Sequence, residues 1–427
     1  MKTKPNSHPN NQGSILMISL CIATIVGIVL GGYLYLIRTQ NVSVMRSQYW
    51  NAAMAVTEAG VEEALAQLNP GVLGPVNKWA NNWTVGNGVY SPPNLPRNLA
   101  NGSYYYVSFT DAEPPVITST GYVTVPITGD KISRIVQVST ATYSPFMFGI
   151  VVKTNMDLNG NNVTIDSYNS KNGGTYDPNH PGHHGDVASK DGVIDAGNGN
   201  INGTLHIGPT VQVSVGPNVV IAGGTINDMN IDVPDVQPPF TWAGLPLLGS
   251  SFKSSSPYSH YDYVLTSGKY LLNSISGGKK GGQSLVVESG STAVLYVPGN
   301  ASLSGITIEY GATLKLYVGG PSLSIEGVTM QDAQGHSGAE TPSALQVYGL
   351  STLTDVTIGG NGTFTGVLYA PHAQLTMNGG GNDVNDWFGS VIVNSLTMNG
   401  HFNLHYDENL PASTDILGYR IASWKEL

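Results

Sequence analysis

Cysteine is almost missing from this chain. Cys21 is the only one in 427 residues, so no disulfide can close within the chain and a zinc site built on thiolates is excluded. It lies inside an apolar stretch, which also excludes a cysteine nucleophile working with histidine. Charge is scarce as well: 11% of residues are charged and the net charge is −10, with no basic cluster. Phosphate-backbone binding is therefore not expected, and nucleic acid is not a partner. No Gly-x-Ser-x-Gly elbow occurs. The Gly-Gly-Lys-Lys-Gly-Gly run at 277–282 lacks P-loop spacing and any strand-to-helix context, so no cofactor is expected. Proline is absent from 38 to 68, which permits an unbroken helix there.

Glycine and apolar residues are what the chain has. With 53 Gly and 41% hydrophobic residues spread in short alternating runs, it reads as many short strands joined by tight turns behind one helical element. That element begins with residues 15–37, a run of 23 whose only ionisable side chain is the thiol of Cys21. As a helix it would be about 34 Å long against about 30 Å of bilayer hydrocarbon, enough to span a membrane. The run is longer than a secretory signal's apolar core, and no small-residue cleavage pattern follows it, so an uncleaved anchor is expected. Beyond it, Trp50, Met54, Val61, Leu65 and Leu68 fall on one helical face, and Pro70-Gly71 ends the helix. One helix over about 14–68 follows. The short N-terminus is expected in the cytoplasm and the remainder beyond the inner membrane, although Lys2 and Lys4 are balanced by Arg38 and Arg46.

The leader with two lysines, the Gln12-Gly13-Ser14 junction, the apolar helix and the segment Asn-Ala-Ala-Met-Ala-Val-Thr-Glu-Ala-Gly-Val-Glu-Glu-Ala-Leu at 51–65 together resemble the N-terminus of PilX-type minor pilins, over about the first 70 residues. The resemblance implies that a prepilin peptidase cuts between Gly13 and Ser14 and that the mature helix packs with other pilins or pseudopilins in a type IV pilus-like assembly. It departs at one place: major pilins resemble one another in a glutamate at the fifth mature position, which here is Ile18, and PilX-type sequences often lack that acid too. That departure fits a tip subunit, which has no neighbour above it to neutralise. An unprocessed single-span anchor is the plainer alternative.

Residues 71–102 read as irregular. Runs at 104–110, 116–125 and 132–143 read as three antiparallel strands set against the helix, as in the reduced head of a pilin. From 146 to 410 short strands recur every 8 to 11 residues. Leu-Thr-Met-Asn-Gly at 375–379 repeats at 396–400, and Leu-Tyr-Val at 295–297 repeats at 316–318. Both offsets are 21 residues, the size of one turn of a three-sided right-handed β-solenoid. In 312–318, Leu314, Leu316 and Val318 would point inward and Thr313, Lys315 and Tyr317 outward. Residues 234–257 lack this texture and read as a loop leaving the stack. The segments 158–168, 365–371 and 405–410 also resemble the Gly/Asn-rich uncharacterised domain found behind PilX-like N-termini, which implies a surface or pilus-assembly role. The layout is thus a leader at 1–13, a helix at 14–70, a small β region at 71–145, a solenoid at 146–410, and a tail at 411–427 that caps the last turn.

Candidate chemistry is sparse. Asp177, His180, His183, His184 and Asp186 lie within eleven residues and could hold zinc or another divalent ion; a solvated loop is the plainer reading. Tyr296 and Tyr317, one turn apart, would stack on the outer face and either bind surface glycans or shield a strand. Asp383, Asp386, Asp407 and Glu408 could supply the two carboxylates, about 5 to 9.5 Å apart, of a glycoside hydrolase. Polysaccharide lyases of solenoid fold resemble one another in using an arginine or lysine base, and no arginine occurs between Arg134 and Arg420. The composite expectation is a non-enzymatic, pilin-like surface protein serving adhesion or assembly, with a membrane-anchored carbohydrate-active enzyme as the alternative.

Overall fold

The computed structural model describes residues 12–69, 72–73, 83–126, 128–158, 160, 163–171, 174–230, 233–239, 258–276, 283–331, 335, 341–359, 363–378, 385–414 and 418–427. It is mainly β, with one long N-terminal helix, and divides into two compact units.

The first unit comprises residues 1–67, 79–141 and 421–427. Its helix α1, Gln12–Leu68, is continuous over 57 residues. The apolar N-terminal part is wholly exposed and is long and apolar enough to cross a membrane. Its Ser19 and Thr24 hydroxyls bond within the helix, Ser19 Oγ donating to Leu16 O at 2.9 Å and Thr24 Oγ1 to Leu20 O at 3.0 Å, which suits an apolar setting.

The C-terminal part of α1 lies on the inner face of an antiparallel sheet. The strands Tyr104–Thr110, Val116–Thr124 and Lys131–Tyr143 match the expected runs, and Thr84–Gly86, Val89–Ser91, Arg97–Asn98 and Gly418–Glu426 extend them to seven. The buried helix face is Ala53, Val56, Thr57, Gly60, Val61 and Ala64. The expected face was partly wrong: Val61 and Leu68 are buried, but Trp50 is 48% exposed and Met54 and Leu65 are half-buried. Small residues won because the sheet comes close. A Cβ on Gly60 would lie 2.3 Å from Ser119 Oγ, and one on Gly121 2.6 Å from Thr57 N. Thr57 closes the seam: its Oγ1 accepts from Gly121 N at 3.1 Å, and its carbonyl accepts from Ser119 Oγ at 2.8 Å. Beside it Glu63 receives Arg97 Nε at 3.0 Å and Tyr105 OH at 2.9 Å. Burial, then the Glu63 contact, pushes the Tyr105 phenol up to about 12.

The residues expected to be irregular, 71–102, thus supply short strands where they are described. The expected cap is also corrected. Gly418–Glu426 is a strand beside Lys131–Tyr143, with Leu427 N donating to Ile135 O at 3.0 Å and Arg134 paired to Glu426. Alternation of β-formers in 418–424 suits a sheet edge as well as it suits a cap.

The second unit, residues 68–78 and 142–420, holds a large parallel sheet of 22 strands. Three ladders run through it. One joins Tyr263–Leu265, Gln283–Val287, the end of Ala301–Ile308 and Val328–Met330. A second joins Gly268–Leu271, Thr292–Val297, Thr313–Val318, Leu345–Gly349 and parts of Phe364–Asn378 and Asn385–Asn399. A third joins the start of Ala301–Ile308 with Ser322–Ile325, Asp355–Gly359 and the ends of the two long strands. The repeated motifs sit in register, Leu295 on Leu316 and Leu375 on Leu396. Leu314, Leu316 and Val318 are buried as expected, each worth about 1.5–3 kcal/mol of burial.

Stacking order does not follow chain order. Asn385–Asn399 pairs with Ile150–Val152 and Met156–Asp157, and Phe402–Asp407 pairs with Thr164–Tyr168. From there the ladders continue to Val187–Ser189, Leu205–Ile207 and Thr225–Ile226. The first rung in sequence therefore lies in the middle of the stack, against the last. After 225–226 the chain returns to the opposite end at 263. The described part of the returning passage lies against the sheet: Asp235–Val236 pairs in parallel with Val72–Leu73, Tyr369 OH donates to Pro234 O at 2.7 Å, and His372 Nε2 meets Asp235 Oδ1 at 2.6 Å. The start of the expected loop at 234–257 is thus a covering strand, and 240–257 lies outside the described residues.

Candidate functional site

A buried polar cluster sits where the first and last rungs meet. Strand alternation aims Asp166 of Thr164–Tyr168 and His405 of Phe402–Asp407 at one point, since the two residues are register partners. Asp166 Oδ1 lies 2.6 Å from His405 Nδ1, and Asp386 Oδ1 lies 3.3 Å from His405 Nε2. Tyr176 OH donates to Asp166 Oδ2 at 2.8 Å, with its ring 3.8 Å from the imidazole, and Phe388 covers the imidazole at 4.9 Å. Asn403 Nδ2 donates to Asp386 Oδ1 at 3.1 Å. Asp166 and His405 are each 2% exposed.

Burial opposes the charged imidazole, but hydrogen bonds and charge from Asp166 and Asp386 overrule it and raise the His405 pKa. Burial likewise works against the Asp386 carboxylate, yet His405 and Asn403 bring it below its ordinary value. The arrangement is an imidazole held between two acids, which favour its charged form. Among the described residues no serine or threonine hydroxyl is bonded to His405. A second set of bonds lies alongside: Ser170 N and Oγ donate to Asp407 at 3.0 and 2.6 Å, and Ser167 Oγ donates to Glu408 Oε1 at 2.8 Å. Chemically this is a clasp between rungs about 240 residues apart in sequence.

The residues singled out in sequence fall elsewhere or play other parts. Asp386, Asp407 and Glu408 belong to these bonds, and Asp383 lies outside the described residues. His180, His183 and His184 are exposed. His180 Nδ1 pairs with Asp177 Oδ2 at 2.8 Å, and Asp186 Oδ1 instead accepts from Thr204 N at 2.6 Å. Among the described residues no three His, Cys, Asp or Glu are gathered to hold a metal.

Tyr296 and Tyr317, expected on an exposed face, are each 4% exposed. They belong to a ladder Tyr296, Tyr317, Tyr348, Tyr369, with Tyr317 and Tyr348 rings stacked at 4.9 Å. At Tyr369 the returning strand covers it through Pro234, which period-2 alternation cannot foresee. No ring face of Tyr296 or Tyr317 is open to a glycan. Gly13 and Ser14 lie in the first turn of α1. The Asp166–His405 clasp was missed in sequence because its members are 239 positions apart; only a known rung order would have joined them.

Residues 253–413 match the family profile described as a domain of unknown function, DUF7305. No curated protein matches the sequence. Among solved structures, the crystal structure of competence-associated pilin ComZ from Thermus thermophilus is similar at 13% identity, over 88% of this chain and 97% of that one. Its TM-score of 0.29 is too low to bear on fold or function.

Proposed function

We propose that this chain is a non-enzymatic, pilin-like surface protein, a minor or tip subunit of a type IV pilus-like assembly. The observation that carries the reading is α1: one continuous helix whose N-terminal part is apolar and fully exposed and whose C-terminal part packs by small residues on an antiparallel sheet. An exposed apolar helix of this length needs lipid or other helices around it. In this reading residues 1–13 are a cytoplasmic leader, a prepilin peptidase cuts between Gly13 and Ser14, and the helix first anchors in the inner membrane and then packs with partner pilins. Ile18 in place of the acid suits a position with no subunit above it. The parallel stack winds as a right-handed solenoid, the hand that parallel β crossovers take almost without exception, and is the displayed part, serving adhesion or assembly.

The test is a shear fraction from the native host carrying an epitope-tagged chain. Recovery with filaments, and loss of that recovery when Gly13→Leu blocks cleavage, is expected. Equal retention of both forms in the membrane contradicts the reading.

A further inference from the structure

The first unit carries a groove that the pilin reading does not use. On the sheet face away from α1, the central strands pair Tyr104 with Tyr122, Tyr106 with Thr120 and Ser108 with Thr118. Tyr104 and Tyr122 stack at 4.8 Å and 13°. Lys131 Nζ lies over the Tyr104 ring at 5.3 Å and occupies it. Tyr106 meets both rings edge-on, at 6.1 and 6.0 Å, and stays 42% exposed. The rings thus hold Tyr106 in place while leaving its own surface to solvent.

Next to Tyr106 an open groove of about 440 Å³ lies between these strands and the hairpin of Thr84–Gly86 and Val89–Ser91. That is within the range of small-molecule sites. Its wall offers the hydroxyls of Thr84, Ser108, Thr118 and Thr120, with Val85 and Leu95 as apolar rim. Among the described residues, the Ser108, Thr118 and Thr120 hydroxyls make no side-chain hydrogen bond within the protein. Apart from the phenol of Tyr106, no lining residue is ionisable.

We infer that this groove binds a neutral oligosaccharide. A pyranose presents one apolar C–H face, which suits an exposed tyrosine ring, and a rim of hydroxyls, which suits short hydroxyl side chains that both donate and accept. An acidic glycan or a phosphate would find no cation in the lining, and an apolar peptide would strand the hydroxyls. Threonine and tyrosine are also good strand formers. Strand propensity does not account for a concave site beside a ring fixed by two others. The inference gives the displayed protein a ligand class, and its test is independent of any pilus.

The full-length chain, reconstituted in phosphatidylcholine vesicles free of glycoside detergent, is probed by saturation-transfer NMR with cellohexaose, maltohexaose and chitohexaose. Oligogalacturonate is the acidic comparator. Transfer to at least one neutral probe is expected, weaker by about tenfold in apparent affinity in Tyr106→Ala, weaker by about threefold in the near-isosteric Thr120→Val, and unchanged in Lys131→Ala; these changes correspond to one ring contact and one hydrogen bond. Far-UV circular dichroism confirms that the variants fold. No transfer to any neutral probe, a preference for oligogalacturonate, or binding unchanged by both groove variants overturns the inference.

Discussion

Replacing His405 by alanine should open the stack at the seam between its first and last rungs. The imidazole links Asp166 Oδ1 at 2.6 Å to Asp386 Oδ1 at 3.3 Å. Without it Asp166, 2% exposed, keeps, among the described residues, only the Tyr176 hydroxyl on its side chain. Removing one partner of a buried ion pair costs about 3–5 kcal/mol, because the other charge is left unpaired. Amide protection in 164–168 and 402–407 should therefore fall roughly a hundredfold to a few thousandfold in hydrogen exchange read by mass spectrometry, while protection in 292–318 changes little. His405→Gln keeps one donor and should lose less.

The pH dependence has a defined sign. The folded His405 pKa is raised above 6.5, so its contribution is complete below about pH 6.5 and is lost as pH rises through the folded value. Asp386 is lowered from 3.8, so its contribution is present above about pH 4 and is lost as pH falls through its folded value. The wild-type seam should loosen on the alkaline side, and His405→Ala should not. A loss under tenfold, or an alkaline decline unchanged in the variant, refutes the clasp.

Other positions test the packing. Gly121→Val puts a branched side chain where Thr57 N and Ala53 O already stand 2.6 and 2.8 Å from a Cβ; thermal denaturation by circular dichroism should show the first unit losing more than about 3 kcal/mol, since backbone must shift. Leu316→Ala should cost about 2–5 kcal/mol in the second unit by the same measurement, and half-buried Lys315→Ala less than about 1. Equal effects would mean that the inward and outward assignments of strand Thr313–Val318 are wrong. Tyr369→Phe removes the hydroxyl on Pro234 O and should speed exchange in 235–236 about two- to tenfold.

Local rules carried the reading some way. Alternation located Tyr104–Thr110, Val116–Thr124 and Lys131–Tyr143, and the 21-residue offset placed Leu295 on Leu316 and Leu375 on Leu396. A repeat fixes the spacing of neighbouring rungs but not which rung meets which end, so the pairing of 150–152 with 391–393 left no trace in sequence. For the same reason Asp166 and His405 read as unrelated polar residues. Tyr317 alternates correctly with Leu316 and Val318, yet it is buried: alternation tells which side of a strand a residue takes, not whether that side stays uncovered. On α1 the large residues drew attention to Trp50, while the close approach of the sheet selects Ala53, Gly60 and Ala64. The histidines at 180–184 were near in sequence and far from convergence, because proximity along a loop does not aim side chains.

The central claim, that α1 is a processed pilin-like helix, is tested most directly by the intact mass and N-terminal sequence of the protein recovered from its native membrane or surface fraction. A chain beginning at Ser14, with or without a methylated amine, is the predicted result. A chain still carrying residues 1–13 would contradict the account and leave an anchored parallel stack of other purpose.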